Sequence, residues 1–160
     1  MKRYFSYSVL ILALLISGGR SAQAQLAVGV KGPPLMLPTL LASYMLSESQ
    51  MLELDVLSQS SGQSSMLSAG VSDKLFLDPV EVLSLSITPF LGVGARFSLL
   101  SVHVLGQTSS ITAISMNLLM GAEHRVQESP INVFGELRYS VSLSFSGFGV
   151  GAALGLRLDL

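Results

Sequence analysis

Four segments of the chain alternate between apolar residues and small or polar ones with a period of two. The clearest is residues 147–160, where every even position is apolar and every odd position is Gly, Ala, Arg or Asp. This is the period of a β-strand, whose successive side chains point to opposite faces. Residues 131–144, 110–126 and 87–99 show the same alternation. All four reach the roughly 9–11 residues that a strand needs to cross a membrane, whereas soluble strands average about 5–6.

The composition indicates which face of these strands meets which environment. Charged residues make up 12% of the 160 residues and hydrophobic residues 49%, with a mean hydropathy of +0.60. Soluble domains carry about 25% charged residues. The Gly, Ser and Ala face with occasional charges suits the narrow lumen of a small barrel, and the Leu, Val and Phe face suits lipid. A soluble barrel that binds an apolar ligand is the alternative, and it would place the Leu and Val faces inside.

We therefore predict an all-β chain that forms an eight-stranded antiparallel transmembrane β-barrel. An even strand number brings both ends of the barrel chain to the same side of the membrane. The predicted strands are residues 26–31, 39–47, 50–58, a run between 65 and 86, 87–102, 110–126, 131–144 and 147–160. Residues 64–86 are too long for one crossing and contain Pro79, which disfavours a central strand. A bulge, or an additional hairpin that would bring the count to ten strands, stays open in this segment.

The first 24 residues have the order of a secretory signal peptide. Lys2 and Arg3 supply the positive start, residues 9–16 form an apolar run, and residues 22–24 have the small-x-small form of a cleavage site. The apolar run is far shorter than the roughly 20 residues of a spanning helix. Residues 1–24 are thus predicted to be a cleaved signal peptide and residues 25–160 the barrel domain. Cleavage would remove three positive charges, changing the formal net charge from −1 to −4.

Several functions are disfavoured by what the chain lacks. It has no cysteine, so no disulfide framework stabilises the exported domain. It has no basic stripe, which argues against nucleic acid as a partner. Metal-ligand spacing, a P-loop and a dinucleotide fingerprint are also missing from the sequence. We predict no catalytic, cofactor-binding or metal-binding residues and no cofactor.

The charged residues of the alternating segments fall mostly on the small, polar faces. We interpret them as an ion-pair network that fills the lumen, because buried charge must be paired. The alternative is a proton or ion pathway, which eight strands disfavour because so small a barrel is filled by its side chains. The residues concerned are Arg96, Glu123, Arg125, Glu136, Arg138, Arg157 and Asp159.

The two histidines raise the alternative of a lipid-modifying enzyme that uses a His with a Ser. His124 lies on an apolar face near a strand end, beside Glu123 and close to Ser129, and His103 is the other histidine. A catalytic triad is defined by three-dimensional geometry rather than by adjacency in sequence. This hypothesis requires a His, a Ser and a carboxylate to converge on the lipid-facing wall.

Four short motifs resemble those of PorT-type and OmpX-like small outer-membrane β-barrel proteins. They are LAVGVKG at residues 26–32, LFLDPV at 75–80, PFLGVG at 89–94 and ELRYS at 136–140, where the last resembles the family's penultimate strand. The resemblance covers most of the chain after the predicted signal. It implies an eight-stranded barrel in an outer membrane without a defined catalytic site.

The sequence thus predicts a small outer-membrane barrel that has a structural or interaction role and is not an enzyme. Its expected partners are the lipid bilayer of the outer membrane and the barrel-insertion machinery, and no protein partner can be named from the residues. A diffusion pore is the least favoured function, because eight strands leave no continuous water path.

Overall fold

The computed structural model describes residues 26–33, 38–104, 107–144 and 146–160, all of which are strands, turns or irregular segments. The predicted signal peptide, residues 1–24, lies outside the described residues. Among those described, no helix is long and apolar enough to cross a membrane. The strands are β1 (Leu26–Gly32), β2 (Thr39–Ser47), β3 (Gln50–Ser61), β4 (Ser64–Phe76), β5 (Val80–Val82), β6 (Leu85–Val104), β7 (Gln107–Arg125), β8 (Ile131–Ser142) and β9 (Phe148–Asp159).

Eight of these strands close into an antiparallel ring. Each pairs with its neighbour in the chain, β1 also pairs with β9, and β4 pairs with β6 across the short β5. β5 pairs only with the first three residues of β6 and therefore lies outside the ring. The predicted eight-stranded antiparallel barrel is confirmed.

The segment that the sequence left open, residues 64–86, divides into one crossing strand and half of a small hairpin. β4 ends at Phe76, and Leu77, Asp78 and Pro79 separate it from β5. As expected from its length, the segment is not one continuous strand, because Pro79 has no amide hydrogen to continue the ladder. The additional hairpin does occur, but it is built from β5 and the start of β6. The described strands therefore number nine rather than ten.

The barrel has two ends with different connections. At one end lie the start of β1, the end of β9, the turn at residues 48–49, the β5 hairpin and the turn at residues 126–130; we call this the terminal end. At the other end β1, β3, β6 and β8 finish and β2, β4, β7 and β9 begin, and we call it the loop end. β6 and β7, with 20 and 19 residues, extend furthest toward the loop end.

Alternate side chains of the ring point outward and form an apolar surface. On β7 and β8, Leu118 and Leu137 are about half exposed, and Leu154 of β9 is 61% exposed. On β6 to β9, the lipid-facing belt comprises the odd positions 89–99 of β6, the even positions 114–122 of β7, the odd positions 131–141 of β8 and the even positions 148–158 of β9. The predicted assignment of faces is confirmed. The alternative of a soluble barrel with its Leu and Val faces inside is wrong.

Candidate functional site: the charged lumen

Lys74 lies at the centre of a cluster of buried charges inside the barrel. Its Nζ donates hydrogen bonds to Glu53 Oε2 at 2.8 Å and to Glu136 Oε2 at 3.0 Å. Lys31 also ion-pairs with Glu53, and its Nζ lies 3.3 Å from Glu136 Oε1 and 3.4 Å from Asp55 Oδ2. All five residues are buried. The strands β1, β3, β4 and β8 are thus tied together through their side chains as well as through their ladders.

Two arginines extend this cluster toward the loop end. Arg96 of β6 pairs with Asp55 and donates a hydrogen bond to Ser68 Oγ at 3.3 Å. Arg138 of β8 donates from Nη2 to Glu136 Oε1 at 2.7 Å. Among the described residues, this central network joins four cations to three carboxylates: Lys31, Lys74, Arg96 and Arg138 to Glu53, Asp55 and Glu136. Buried charges of this kind are tolerated only where each has partners of opposite sign.

Two phenylalanine rings lie beside the central network and fill the lumen with apolar volume. Lys74 Nζ is 4.8 Å from the ring centroid of Phe90 and 5.1 Å from that of Phe134, which is within the range of a cation–π interaction. Each ring covers a glycine directly opposite on the next strand, Gly121 for Phe90 and Gly155 for Phe134. A side chain at either glycine would collide with the ring, so these two positions require the absence of a Cβ.

A second charged cluster lies toward the terminal end. Arg157 Nη2 donates to Glu123 Oε1 at 2.7 Å, and its Nη1 lies 2.8 Å from the sulfur of Met51. Asp159 is a more distant partner, with Oδ1 3.7 Å from Arg157 Nε and Oδ2 3.9 Å from Arg125 Nη1. A cavity of about 500 Å³ opens on the terminal-end side of this cluster, and we call it the vestibule. Arg157, Glu123 and Met51 are among the residues that line it. The vestibule is the terminal-end mouth of the lumen.

The structure brings the predicted lumen residues together in two groups. Arg96, Glu136 and Arg138 belong to the central network, and Glu123, Arg157 and Asp159 belong to the second cluster. Arg125 differs, because its side chain is 62% exposed at the terminal-end rim. The interpretation as an ion-pair network agrees with these contacts.

The middle of the central network was not predicted from the sequence. Lys31, Glu53, Asp55 and Lys74 were not among the candidates, yet they contribute four of its seven charges. The signal that could have found them is the same alternation: Glu53 and Asp55 share a strand face two residues apart, as Glu136 and Arg138 do. Glu53 has no exposed surface at all.

The histidines take part in hydrogen bonds of a structural kind. His124 Nδ1 donates to the backbone carbonyl of Ser86 at 2.8 Å, and Ser129 Oγ accepts from the amide of Ile131 at 2.9 Å. His103 is exposed and contacts Thr108 Oγ1. Glu123, next to His124, points inward to Arg157. Within the described residues, no group of three His, Asp or Glu side chains could hold a metal ion.

Comparison with known proteins relates this geometry to solved barrels. Neisserial surface protein A, NspA, superposes with a TM-score of 0.57 at 18% identity, covering 86% of this chain and 94% of that protein. The N-terminal β-barrel domain of Pseudomonas aeruginosa OprF superposes with a TM-score of 0.61 at 11% identity, covering 86% and 96%. This chain has the fold of a small outer-membrane β-barrel.

The likeness at these identities concerns the fold. No protein-family model matches the chain. No curated protein matches it in sequence either. The lipid-facing belt adds an independent argument, because a continuous surface of half-exposed Leu, Val, Ile, Met and Phe needs a bilayer around it. Fold and belt together agree with the predicted location in an outer membrane.

Proposed function

We propose that this protein is a non-enzymatic outer-membrane barrel with a structural or interaction role. The observation that carries the proposal is the filled lumen. Lys74 joins carboxylates from β3 and β8 across the interior, and Phe90 and Phe134 occupy the space beside it. Such packing supports a barrel that works through its wall and its ends rather than by conducting solutes.

The loop end supports the interaction part of this role. β3 and β4 pair to Ser61 and Ser64, and β6 and β7 pair to Val104 and Gln107, well beyond the apolar belt. Residues 58–65 and 107–112 of this extension are rich in Ser, Thr and Gln, residues 100–104 of β6 are mainly apolar, and none of these residues is acidic, lysine or arginine. The hydroxyl and amide side chains of β3, β4 and β7 offer hydrogen bonds to other surface molecules beyond the apolar belt.

Three finer points belong to the same proposal. Membership of the PorT-type group rests on the four short motifs of the sequence. Cleavage after Ala24 rests on the order of the signal elements and would be read directly by mass spectrometry of the protein purified from membranes. Assembly by the barrel-insertion machinery follows from the proposed location in the outer membrane.

The test combines fractionation with a measurement of conductance. We expect the protein in the outer-membrane fraction, and its mobility on a gel to change when the sample is boiled, because a closed barrel resists detergent until heated. Inserted into a planar bilayer, it should give no steady ion conductance. A soluble protein without a heat shift would contradict the membrane barrel. A steady conductance would contradict the filled lumen and favour a pore.

A further inference from the structure

The hairpin formed by β5 and the start of β6 lies outside the ring, at the terminal end. Val80 is opposite Ile87, and Val82 is opposite Leu85. Leu83 and Ser84 make the turn with φ values of 51° and 67°. We call residues 80–87 the rim hairpin.

The rim hairpin has one apolar and one polar face. Leu85 and Ile87 are odd positions of β6 and therefore continue the outward row of the lipid-facing belt. Their partners, Val82 and Val80, extend the same face sideways, and Val80, Val82 and Leu85 are each 46–49% exposed. Glu81 and Ser86 pair on the opposite face. The hairpin is amphipathic, and its apolar face is continuous with the surface that meets lipid.

The tip of the rim hairpin carries two features that are unfavourable in water. Leu83 is 94% exposed, the highest fraction among the large apolar side chains of the described residues. Its backbone is also in the left-handed region, which glycine and asparagine tolerate and leucine does not favour. Strained residues persist where the surroundings offset the cost. Burial of the leucine in an apolar environment would provide that offset.

The length of β6 indicates where this environment begins. From Ile131 to Val141 the outward row of β8 spans about 33 Å, which at a tilt of about 40° covers roughly the 25 Å of an apolar band. The corresponding row of β6, from Leu85 to Leu99, spans about 46 Å and covers roughly 35 Å. The apolar face of β6 is thus about 10 Å longer than the hydrocarbon band requires.

His124 marks the border of the belt beside the hairpin. The outward row of β7 is apolar as far as Ala122 and becomes polar at His124, whose Nδ1 donates to the carbonyl of Ser86 at 2.8 Å. The rim hairpin therefore starts at the level where the wall passes from lipid to water. An amphipathic element at this level matches the boundary between acyl chains and headgroups.

We propose that the rim hairpin is an interfacial lipid anchor. Val80, Val82, Leu83 and Leu85 insert into the boundary between acyl chains and headgroups of the leaflet at the terminal end, and Glu81 faces water. The proposal rests on the barrel spanning a bilayer. Its occupant is lipid rather than protein because the apolar face continues the belt without a break.

Single cysteines carrying a fluorescent label test the anchor, and the chain is suited to this because it contains no cysteine. The variants are Leu83→Cys and Val82→Cys on the apolar side and Glu81→Cys on the polar face. Leu118→Cys in the belt and Gln63→Cys in the loop-end turn are the lipid and water references. Each labelled full-length barrel is placed in vesicles made from phosphatidylcholine or from a mixture of its analogues brominated near the headgroup and near the middle of the acyl chains, so that bromine lies both at the depth of the hairpin and at that of position 118. Iodide serves as the aqueous quencher, and a heat shift confirms that each variant folds.

The expected result is an alternation along the hairpin. Brominated lipid should quench positions 82 and 83 at least half as strongly as position 118, and iodide should quench them several-fold less than position 63. Position 81 should be quenched strongly by iodide and weakly by brominated lipid. Equal iodide quenching at positions 83 and 63 would overturn the anchor, as would protection of position 83 from both quenchers, which would mean that protein covers it. Failure of brominated lipid to quench position 118 would overturn the membrane barrel itself, and the anchor with it.

Discussion

Charge balance in the central network depends on individual residues. Among the described residues, four cations face three carboxylates, and Glu53 contacts both lysines. Removing a cation brings the two signs into balance, whereas removing a carboxylate leaves two excess positive charges in a buried site. The two kinds of substitution should therefore differ in their effect on stability.

We expect Glu53→Gln to lower the free energy of unfolding by about 3–5 kcal/mol, because it removes one of the two buried carboxylates that Lys31 and Lys74 share and leaves only Glu136 to both. Lys74→Met should cost less. Arg125→Met is the surface control, with an expected effect of about 0–1 kcal/mol, since its side chain is 62% exposed. Each variant is titrated with urea in vesicles. The measurement is the urea concentration at which half of the protein has lost the gel band of the folded, unheated barrel. Equal losses for Glu53→Gln and Lys74→Met would show that charge balance does not govern the network.

The glycines opposite the two lumen rings are equally sensitive. A Cβ at position 155 would lie 2.6 Å from Cε1 and 2.8 Å from Cε2 of Phe134, whereas a Cβ at position 151 of the same strand would meet nothing within 4 Å. We expect Gly155→Val to destabilise the barrel by about 1–3 kcal/mol or more through overpacking. Gly151→Val, the matched control, should leave the urea midpoint nearly unchanged. A similar loss for both would contradict close packing of Phe134 over Gly155.

At the level of elements, the turn of the rim hairpin places two successive residues other than glycine, Leu83 and Ser84, in the left-handed region. Ser84 has a φ of 67°, where glycine is at ease and serine is not. We expect Ser84→Gly to stabilise the barrel in detergent by about 1 kcal/mol. Ser49→Gly, in the β2–β3 turn where φ is not positive, should be neutral or destabilising by about 0.5 kcal/mol. The thermal unfolding midpoints of the two variants are compared. An equal stabilisation by Ser49→Gly would show that relief of backbone strain is not the cause.

The strands themselves could be predicted from the sequence because one face of each had to be apolar. Alternation predicted the four strands β6 to β9 and their outward faces. It could not give the end of β4, because the charged side chains of Asp73 and Lys74 interrupt the apolar pattern there. Lys74 points into the lumen and the next residue, Leu75, points outward, so the alternation of a strand continues through both. β4 ends only at Phe76.

The contacts inside the lumen could not be predicted in the same way. Lys74 meets Glu136, which is 62 residues away in the chain, because β4 pairs with β6 and the ring brings β8 to the far wall. Alternation assigns a residue to a face but does not give its height relative to the other strands. Register between strands sets that height, and it depends on packing across the whole barrel.

At the level of the whole molecule, the two ends differ in a way that predicts orientation. Outer-membrane barrels have short periplasmic turns, and their larger structures lie outside. Here the polar extensions of β3–β4 and β6–β7 rise from the loop end, and the short turn at residues 48–49 lies at the terminal end. The loop end should therefore face the cell exterior, and the rim hairpin should contact the inner leaflet of the outer membrane.

Accessibility of single cysteines in intact cells tests this orientation. Gln63→Cys at the loop end should react with a membrane-impermeant maleimide in intact cells, because its turn stands in external water. Glu48→Cys at the terminal end should react only after the outer membrane is permeabilised. The chain has no other thiol, so any labelling reports the introduced residue. The opposite pattern would place the terminal end outside, and the rim hairpin would then contact the outer leaflet, where headgroup chemistry and packing differ. Labelling of both positions in intact cells would contradict a barrel that spans the membrane.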